Sequence, residues 1–198
     1  PVSNGEYLKF VRAGAALPHF WTQKDDQIFY RGMFTEIPLP LDGPAYVTEL
    51  EAEAYAGWLG KRLMSEGEFH RVAYGSPWGE ERPYPWGLAP PSHERGNFNF
   101  QTWEPESVFA TTAGESAFGV SQLVGNGWEW TNTPFAPFPG FEQRPSYPGY
   151  SANFFYNQHY VLKGGSPRTA ARLLRRSFRN WFRRDYPYLY AKFRCVER

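Results

Sequence analysis

Gly125-Asn126-Gly127-Trp128-Glu129-Trp130-Thr131 is the stretch on which the reading of this chain turns. Successive strand residues point to opposite faces, so Trp-Glu-Trp puts two indoles on one side and a carboxylate on the other. The two glycines flanking Asn126 mark a tight turn feeding that strand. Working outward, the chain has 198 residues, enough for one substantial core. Hydrophobic residues make up 41% and aromatic rings alone 19%, so that core has to be built largely from rings. With 19 Gly and 18 Pro, much of the backbone is turn or irregular loop, which excludes a bundle of long helices. An aromatic-rich, loop-rich α+β domain follows.

Three helix starts carry the same signature, a hydroxyl followed three residues later by Glu: Ser3/Glu6, Thr48/Glu51 and Ser65/Glu68. They predict helices over 4–13, 49–63 and 66–74. Tyr7, Phe10 and Val11 face inward on the first. Leu50, Ala54, Trp58 and Leu59 form the apolar stripe of the second, and Phe69 and Val72 are buried on the third. Gln27–Arg31 and Tyr160–Lys163 read as strands, the latter running into Gly164-Gly165. Arg175–Trp181 and Lys192–Val196 are further strand candidates, whereas the prolines between Gly75 and Ser107 preclude long elements.

The net charge is only +1, yet from Lys163 onward the basic residues are opposed only by Asp185 and Glu197. Near-neutrality overall argues against a nucleic-acid partner, and arginines at such spacings clamp small carboxylates or pair with acids elsewhere. One cysteine, Cys195, excludes an internal disulfide and suits a reducing cytoplasm. No apolar run is long enough for a membrane span. The chain opens without Met, consistent with a fragment or a processed form.

No two of His19, His70, His93 and His159 have the spacing that lets one helix present both to a metal. Gln122, the carbonyls of Gly125 and Gly127, and Glu129 could supply oxygen ligands to calcium, or could simply bond the loop backbone. Arg179-Asn180-Trp181-Phe182 sets an amide and a guanidinium beside large rings. A pocket for a small zwitterion or a quaternary ammonium needs those groups, although the same rings could equally belong to the core.

Several segments together resemble the formylglycine-generating-enzyme (sulfatase-modifying factor) superfamily. They are Lys61-Arg62-Leu63, Glu66-Gly67-Glu68-Phe69, Tyr84-Pro85-Trp86-Gly87, Gly96-Asn97, Ala117-Phe118-Gly119-Val120, 123–131, Leu162-Lys163-Gly164-Gly165-Ser166 and Phe193-Arg194. The resemblance runs in order along nearly the whole chain and implies one domain over 1–198. The implied fold is C-type-lectin-like, with small antiparallel sheets, a few short helices and irregular loops. Within that superfamily, 134–141, Tyr147-Pro148-Gly149-Tyr150, 169–172 and 179–182 are most similar to the C-terminal domain of ergothioneine-type sulfoxide synthases (the EgtB family).

That resemblance implies O₂-dependent joining of a cysteine-type thiol to trimethylhistidine at a non-haem Fe(II) centre. It implies substrate contacts at Arg179, Asn180, Trp181 and Phe182, where Phe182 in place of an acid suits free cysteine over γ-glutamylcysteine. The family's iron is held by His-x-x-x-His-x-Glu in an N-terminal DinB-like domain, and neither appears here, so the chain is expected to be the substrate-covering part of a longer enzyme. Formylglycine generation itself needs a cysteine pair for copper, which a single thiol cannot form. A non-catalytic ligand-binding protein with diversified C-terminal loops is the other role the fold implies, and the Tyr- and Arg-rich stretch 182–190 suits it.

Overall fold

The computed structural model describes residues 1–110 and 112–198. All three predicted capping boxes are formed, each with the hydroxyl accepting from the Glu backbone N–H and the Glu carboxylate reaching back. Helix α1 spans Asn4–Arg12. A three-stranded antiparallel meander follows: β1 (Trp21–Lys24), β2 (Gln27–Arg31) and β3 (Glu36–Pro38). Helix α2 spans Glu49–Trp58, the short strand β4 spans Arg62–Leu63, and helix α3 spans Glu66–Tyr74.

After a long irregular stretch come β5 (Trp128–Pro134), β6 (His159–Lys163), β7 (Asn180–Arg183), β8 (Ala191–Lys192) and β9 (Cys195–Val196). Strands β7, β6, β5 and β8 form a four-stranded sheet in that order, and β4 pairs with β9. Pairing is antiparallel except between β5 and β8, which run parallel.

Strand β5 is central, and its alternation is as the sequence predicts. Trp128 and Trp130 join the main core with Tyr7, Tyr46, Tyr55 and Phe193. The Trp130 indole N–H donates to the Val47 carbonyl at 3.0 Å. The Tyr7 ring stacks on Tyr55 at 5.3 Å and meets Trp21, Phe10 and Phe193 edge-on. Such ring pairs contribute about 0.5–1.5 kcal/mol beyond the area they bury.

Glu129 points to the other face, where it is also fully buried. Its neighbours across the sheet are Lys163 on β6 and Lys192 on β8. Lys192 Nζ donates to Glu129 Oε2 at 2.8 Å, and Arg194 Nε lies 2.9 Å from Oε1. Burial alone would push the Glu129 carboxyl up; Arg194 and Lys192 together outweigh it and hold it below the ordinary carboxylate value. Burial lowers the Lys192 ammonium against the pull of Glu129.

Two turns require glycine. At Gly127 (φ +117°) a Cβ would come within 2.8 Å of the Tyr46 ring. At Gly164 (φ +84°) it would lie 2.3 Å from the Leu123 carbonyl oxygen. The turn before β5 is held by Asn126, whose amide donates to Glu106 O at 2.8 Å and Gln122 Oε1 at 3.0 Å.

The structure corrects four local expectations. Helix α2 stops at Trp58 rather than running to Leu63, because Gly60 turns into the left-handed region (φ +72°) and Arg62–Leu63 pairs with β9. Its buried face is Glu49, Ala52, Tyr55 and Ala56, not the Leu50/Ala54/Trp58/Leu59 stripe. The helix is turned so that Tyr55 reaches Tyr7 and Glu49 reaches Arg184. The strand expected over Arg175–Trp181 begins only at Asn180, because the carbonyls of Arg176 and Phe178 are taken by Lys163 Nζ. Finally, Lys192–Val196 divides between two sheets, with Phe193 buried in the core between them.

Replacing Glu129 with Gln keeps the shape of the side chain but leaves the Lys192 and Arg194 charges unpaired. A loss of about 3–5 kcal/mol in unfolding free energy is expected, read from the midpoint of chemical denaturation at unchanged m-value.

Candidate functional site

The walls of the site are laid down by β5, β6 and β7. Trp181 stands opposite Val161 on β6 and projects to the outer face of the sheet. There its indole stacks on Phe135, just beyond β5, with ring centres 4.1 Å apart and planes within 7°. Phe155 lies 5.0 Å from Phe135 and 5.3 Å from Phe141, and Tyr150 approaches Trp181 edge-on at 6.5 Å. These rings, with Phe138, Arg175 and Arg179, line an open pocket of about 400 Å³. It falls in the size range of small-molecule sites.

Arg179 belongs to the wall and is neutralised from beneath. Its Nη2 donates to Glu66 Oε2 at 2.9 Å, and its Nε lies 2.9 Å from Glu66 Oε1, a two-point contact of the kind a planar guanidinium favours. The same guanidinium lies over Phe135 (4.8 Å) and Phe138 (4.4 Å). Glu66 is nearly fully buried at the first position of α3.

Beneath both groups sits Lys163, fully buried. Its ammonium donates to Arg176 O at 2.9 Å and Phe178 O at 2.7 Å, and lies 3.8 Å from Glu66. Burial lowers Lys163 to about 8, Glu66 opposing and Arg179 assisting. The ammonium thus ties the irregular segment before β7 to the sheet.

Of the four residues expected to contact substrate, Arg179 and Trp181 meet at this pocket, while Asn180 and Phe182 do not line it. The reason is strand alternation: in β7 their side chains alternate with Trp181. Phe182 packs toward the main core and stacks on Tyr186 at 4.9 Å. The Asn180 side-chain oxygen accepts from the Trp181 backbone N–H at 2.9 Å. Sequence reasoning assigned no pocket role to Phe135, Phe138, Phe141, Tyr150, Phe155 or Glu66. The signal for the rings was the density of aromatics through 134–156; for Glu66 it was its place in a helix start and in the segment Glu66-Gly67-Glu68-Phe69 that carries the resemblance.

The expected calcium ligands are not set around an open position. The Gly127 carbonyl and Glu129 both accept from Lys192 Nζ at 2.8 Å. Gln122 donates to Ser107 O (2.7 Å) and Ala110 O (3.0 Å), and its own oxygen accepts from Asn126. A buried ammonium already supplies the positive charge that Glu129 and the carbonyl of Gly127 would have offered a hard cation.

Redox groups are equally dispersed. Among the described residues, no three His, Cys, Asp or Glu side chains gather in an arrangement that could hold a metal ion. The donor set therefore does not fit iron on this chain alone. The Cys195 thiol is half-buried beside the core, and burial pushes it up to about 11, a poor nucleophile at neutral pH. No helix among the described residues is long and apolar enough to cross a membrane.

Capped short helices, small sheets and long loops held by buried polar hubs define the formylglycine-generating-enzyme type of α+β fold. The family model of the sulfatase-modifying factor enzyme 1-like domain matches residues 1–198, and the chain belongs to that family. It is 38% identical to the hercynine oxygenase of Mycobacterium tuberculosis over 95% of this chain and 48% of that protein. It is 31% identical to ergothioneine biosynthesis protein 1 of Schizosaccharomyces pombe, over 100% of this chain and 25% of that protein. The chain spans about half the length of the curated hercynine oxygenases it matches. Among solved structures, PvdO from Pseudomonas aeruginosa shares the fold with a TM-score of 0.64 at 18% identity, over 97% of this chain and 76% of that one.

Lys163→Met removes the ammonium that ties down the Arg176 and Phe178 carbonyls. Amide exchange across 175–181 is expected to quicken about tenfold or more, with exchange in the β1–β3 meander unchanged, as read by hydrogen–deuterium exchange mass spectrometry.

Proposed function

We propose that this chain is the substrate-binding part of an ergothioneine-type sulfoxide synthase, acting in the cytoplasm. In this reading the aromatic pocket at Trp181 receives the quaternary ammonium of trimethylhistidine. The observation that carries the reading is the pairing of that pocket with the relatives. A ring-walled cavity suits a methylated ammonium, and a protein named hercynine oxygenase aligns with nearly the whole chain. Stacked Phe135 and Trp181 offer π-faces, and Tyr150, Phe141 and Phe155 close the sides.

When bound, a ferrous ion would supply O₂ activation and the oxidation of a thiol. Because the side chains described here do not fit such an ion, its ligands belong outside this chain, in a DinB-like domain. The work of the present residues is to bind and orient. The rings exclude water from the methylated nitrogen. Glu66 neutralises Arg179, so that arginine does not repel a cation, and Arg175 at the pocket edge faces the ligand's own carboxylate. Lys163 fixes the segment that carries both walls. The thiol partner in this reading is cysteine or γ-glutamylcysteine.

The test is isothermal titration of trimethylhistidine into the complete gene product and its variants. Trp181→Ala is expected to weaken binding about tenfold, since a partly desolvated cation–π contact is worth about 1–2 kcal/mol. Asn180→Ala is expected to change affinity by less than about twofold, as befits a side chain occupied by its own strand. Unchanged affinity in Trp181→Ala together with a large loss in Asn180→Ala would move the site to the other face of β7 and refute the pocket assignment.

A further inference from the structure

The loop between β5 and β6 supplies one side of the aromatic pocket and is fastened at its two ends. The first foot is Phe135–Ala136. The Phe135 ring is buried, its N–H donates to His159 O at 2.7 Å, and Ala136 O accepts from Arg179 Nη1 at 3.2 Å. The second foot is the 3₁₀ turn Ala152–Phe154 together with Phe155. Phe154 packs 5.6 Å from Trp181, and Phe155 lies 5.0 Å from Phe135. Both feet therefore stand on the Phe135–Trp181 stack.

Between the feet the attachment is slight. Among the described residues, the hydrogen bonds of 139–151 stay within 138–154. Phe141 N–H donates to Phe138 O at 3.1 Å, Tyr147 N–H to Arg144 O at 3.0 Å and Tyr150 N–H to Tyr147 O at 3.1 Å. Two edge-on ring contacts reach outside the segment, Phe141 on Phe155 and Tyr150 on Trp181. Pro145 and Pro148 fix φ inside it, so the piece is stiff between its ends. Tyr147 and Tyr150 rest against each other at 5.5 Å, yet are 63% and 59% exposed. Two large rings thus stand in water beside an open, ring-lined pocket, with apolar surface still to be buried.

The ends of the stiff piece are backbone hinges. Gly140 has φ +79°. Ser151 has φ +70° and ψ −46°, and across it Ala152 N–H donates to Tyr150 O at 2.9 Å. Those angles and that bond make a γ-turn of the strained hand, rare for a residue that carries a side chain. Strained backbone of this kind gathers at ligand clamps and switch segments. Here it lies directly behind a wall residue of the pocket, Tyr150.

We propose that 139–151 is a lid that swings on Gly140 and Ser151 and closes over the aromatic pocket. On closing, Ser151 leaves the γ-turn for a negative φ, and Tyr147 and Tyr150 move as one body onto the occupant. An empty pocket gives these rings nothing to pack against, whereas an occupant does, and that difference shifts the balance towards the closed state. The closed lid excludes water from the bound ligand and delays its release. The geometry of the loop carries the lid; only trimethylhistidine as the occupant rests on the sulfoxide-synthase reading.

The experiment is fluorine NMR of the complete gene product labelled with 3-fluorotyrosine, the two signals assigned by Tyr147→Phe and Tyr150→Phe. Without ligand, both signals should be broadened by exchange on the microsecond-to-millisecond scale with one common rate constant. Saturating trimethylhistidine should sharpen both at a new position. Ser151→Gly takes away the penalty on a positive φ, so the open population should rise about fivefold. Ser151→Pro cannot hold that φ and should empty the open state.

Static rings, or rings exchanging at two different rates, overturn the lid, as do lineshapes that neither change at residue 151 alters. Calorimetry on the same sample separates the two assignments. Trimethylhistidine that binds without moving either ring refutes the lid and leaves the pocket. No binding, with a common exchange that responds to residue 151, refutes the pocket's occupant and upholds the lid.

Discussion

The burial of Glu129 between Lys192 and Arg194 is the constraint on which the rest of the structure depends. Strand β5 has a core on each face, so its alternation cannot be apolar-in, polar-out. The carboxylate has to be buried, and a buried carboxylate is tolerated only if paired. Lys192 on β8 and Arg194 between β8 and β9 come from the C-terminal segment, and Lys192 also bonds the Gly127 carbonyl. One ion cluster therefore sets the register of β8 against β5 and closes the turn that starts β5. Exchange of the triad for apolar residues would satisfy the core, but would no longer distinguish this pairing from its neighbours.

The site inherits its geometry from a second buried cation on the same face of that sheet. Lys163 lies across from Glu129 but turns away from it, towards the Arg176 and Phe178 carbonyls and Glu66. Here the sheet exports order to a segment with no regular structure. Residues 175–179 make no ladder, yet they carry the guanidinium that lies over Phe135 and Phe138 and lead directly into Trp181. Binding walls built on loops need such ties, because loop backbone left to itself opens locally at little cost.

What the sequence discloses and what it withholds divide along physical lines. Capping boxes are local chemistry, and all three helix starts were legible from Ser3, Thr48 and Ser65. The alternation at Trp128-Glu129-Trp130 was legible for the same reason. The end of α2 was not. Gly60 signalled a break, but whether a helix continues past one glycine is decided by whether the next residues find a partner, and that partner, β9, lies at the far end of the chain. The buried stripe of α2 was misread because a charged residue, Glu49, sits in it, made tolerable by Arg184 from β7's end. The site shows the same division. Trp181 and Arg179 stood out by composition, whereas the partition of β7 between two faces, and the neutralisation of Arg179 by Glu66, are tertiary facts that no spacing encodes.

The electrostatics of the aromatic pocket then impose a preference on what can occupy it. An unpaired guanidinium in the aromatic pocket would repel a quaternary ammonium and offset the attraction of the rings, which is worth about 0.5–2 kcal/mol depending on how far the cation is desolvated. Glu66 removes that conflict at Arg179 by a two-point contact. At the pocket edge Arg175 has the Ser177 hydroxyl and the face of Phe178 but, among the described residues, no carboxylate. A bare cation in the pocket therefore faces one uncompensated like charge, whereas a betaine brings its own carboxylate to meet it. The pairing of a neutralised arginine within the wall and a free one at its edge thus favours a ligand carrying both signs of charge over a simple ammonium. That selectivity arises from the placement of one buried glutamate rather than from the rings themselves.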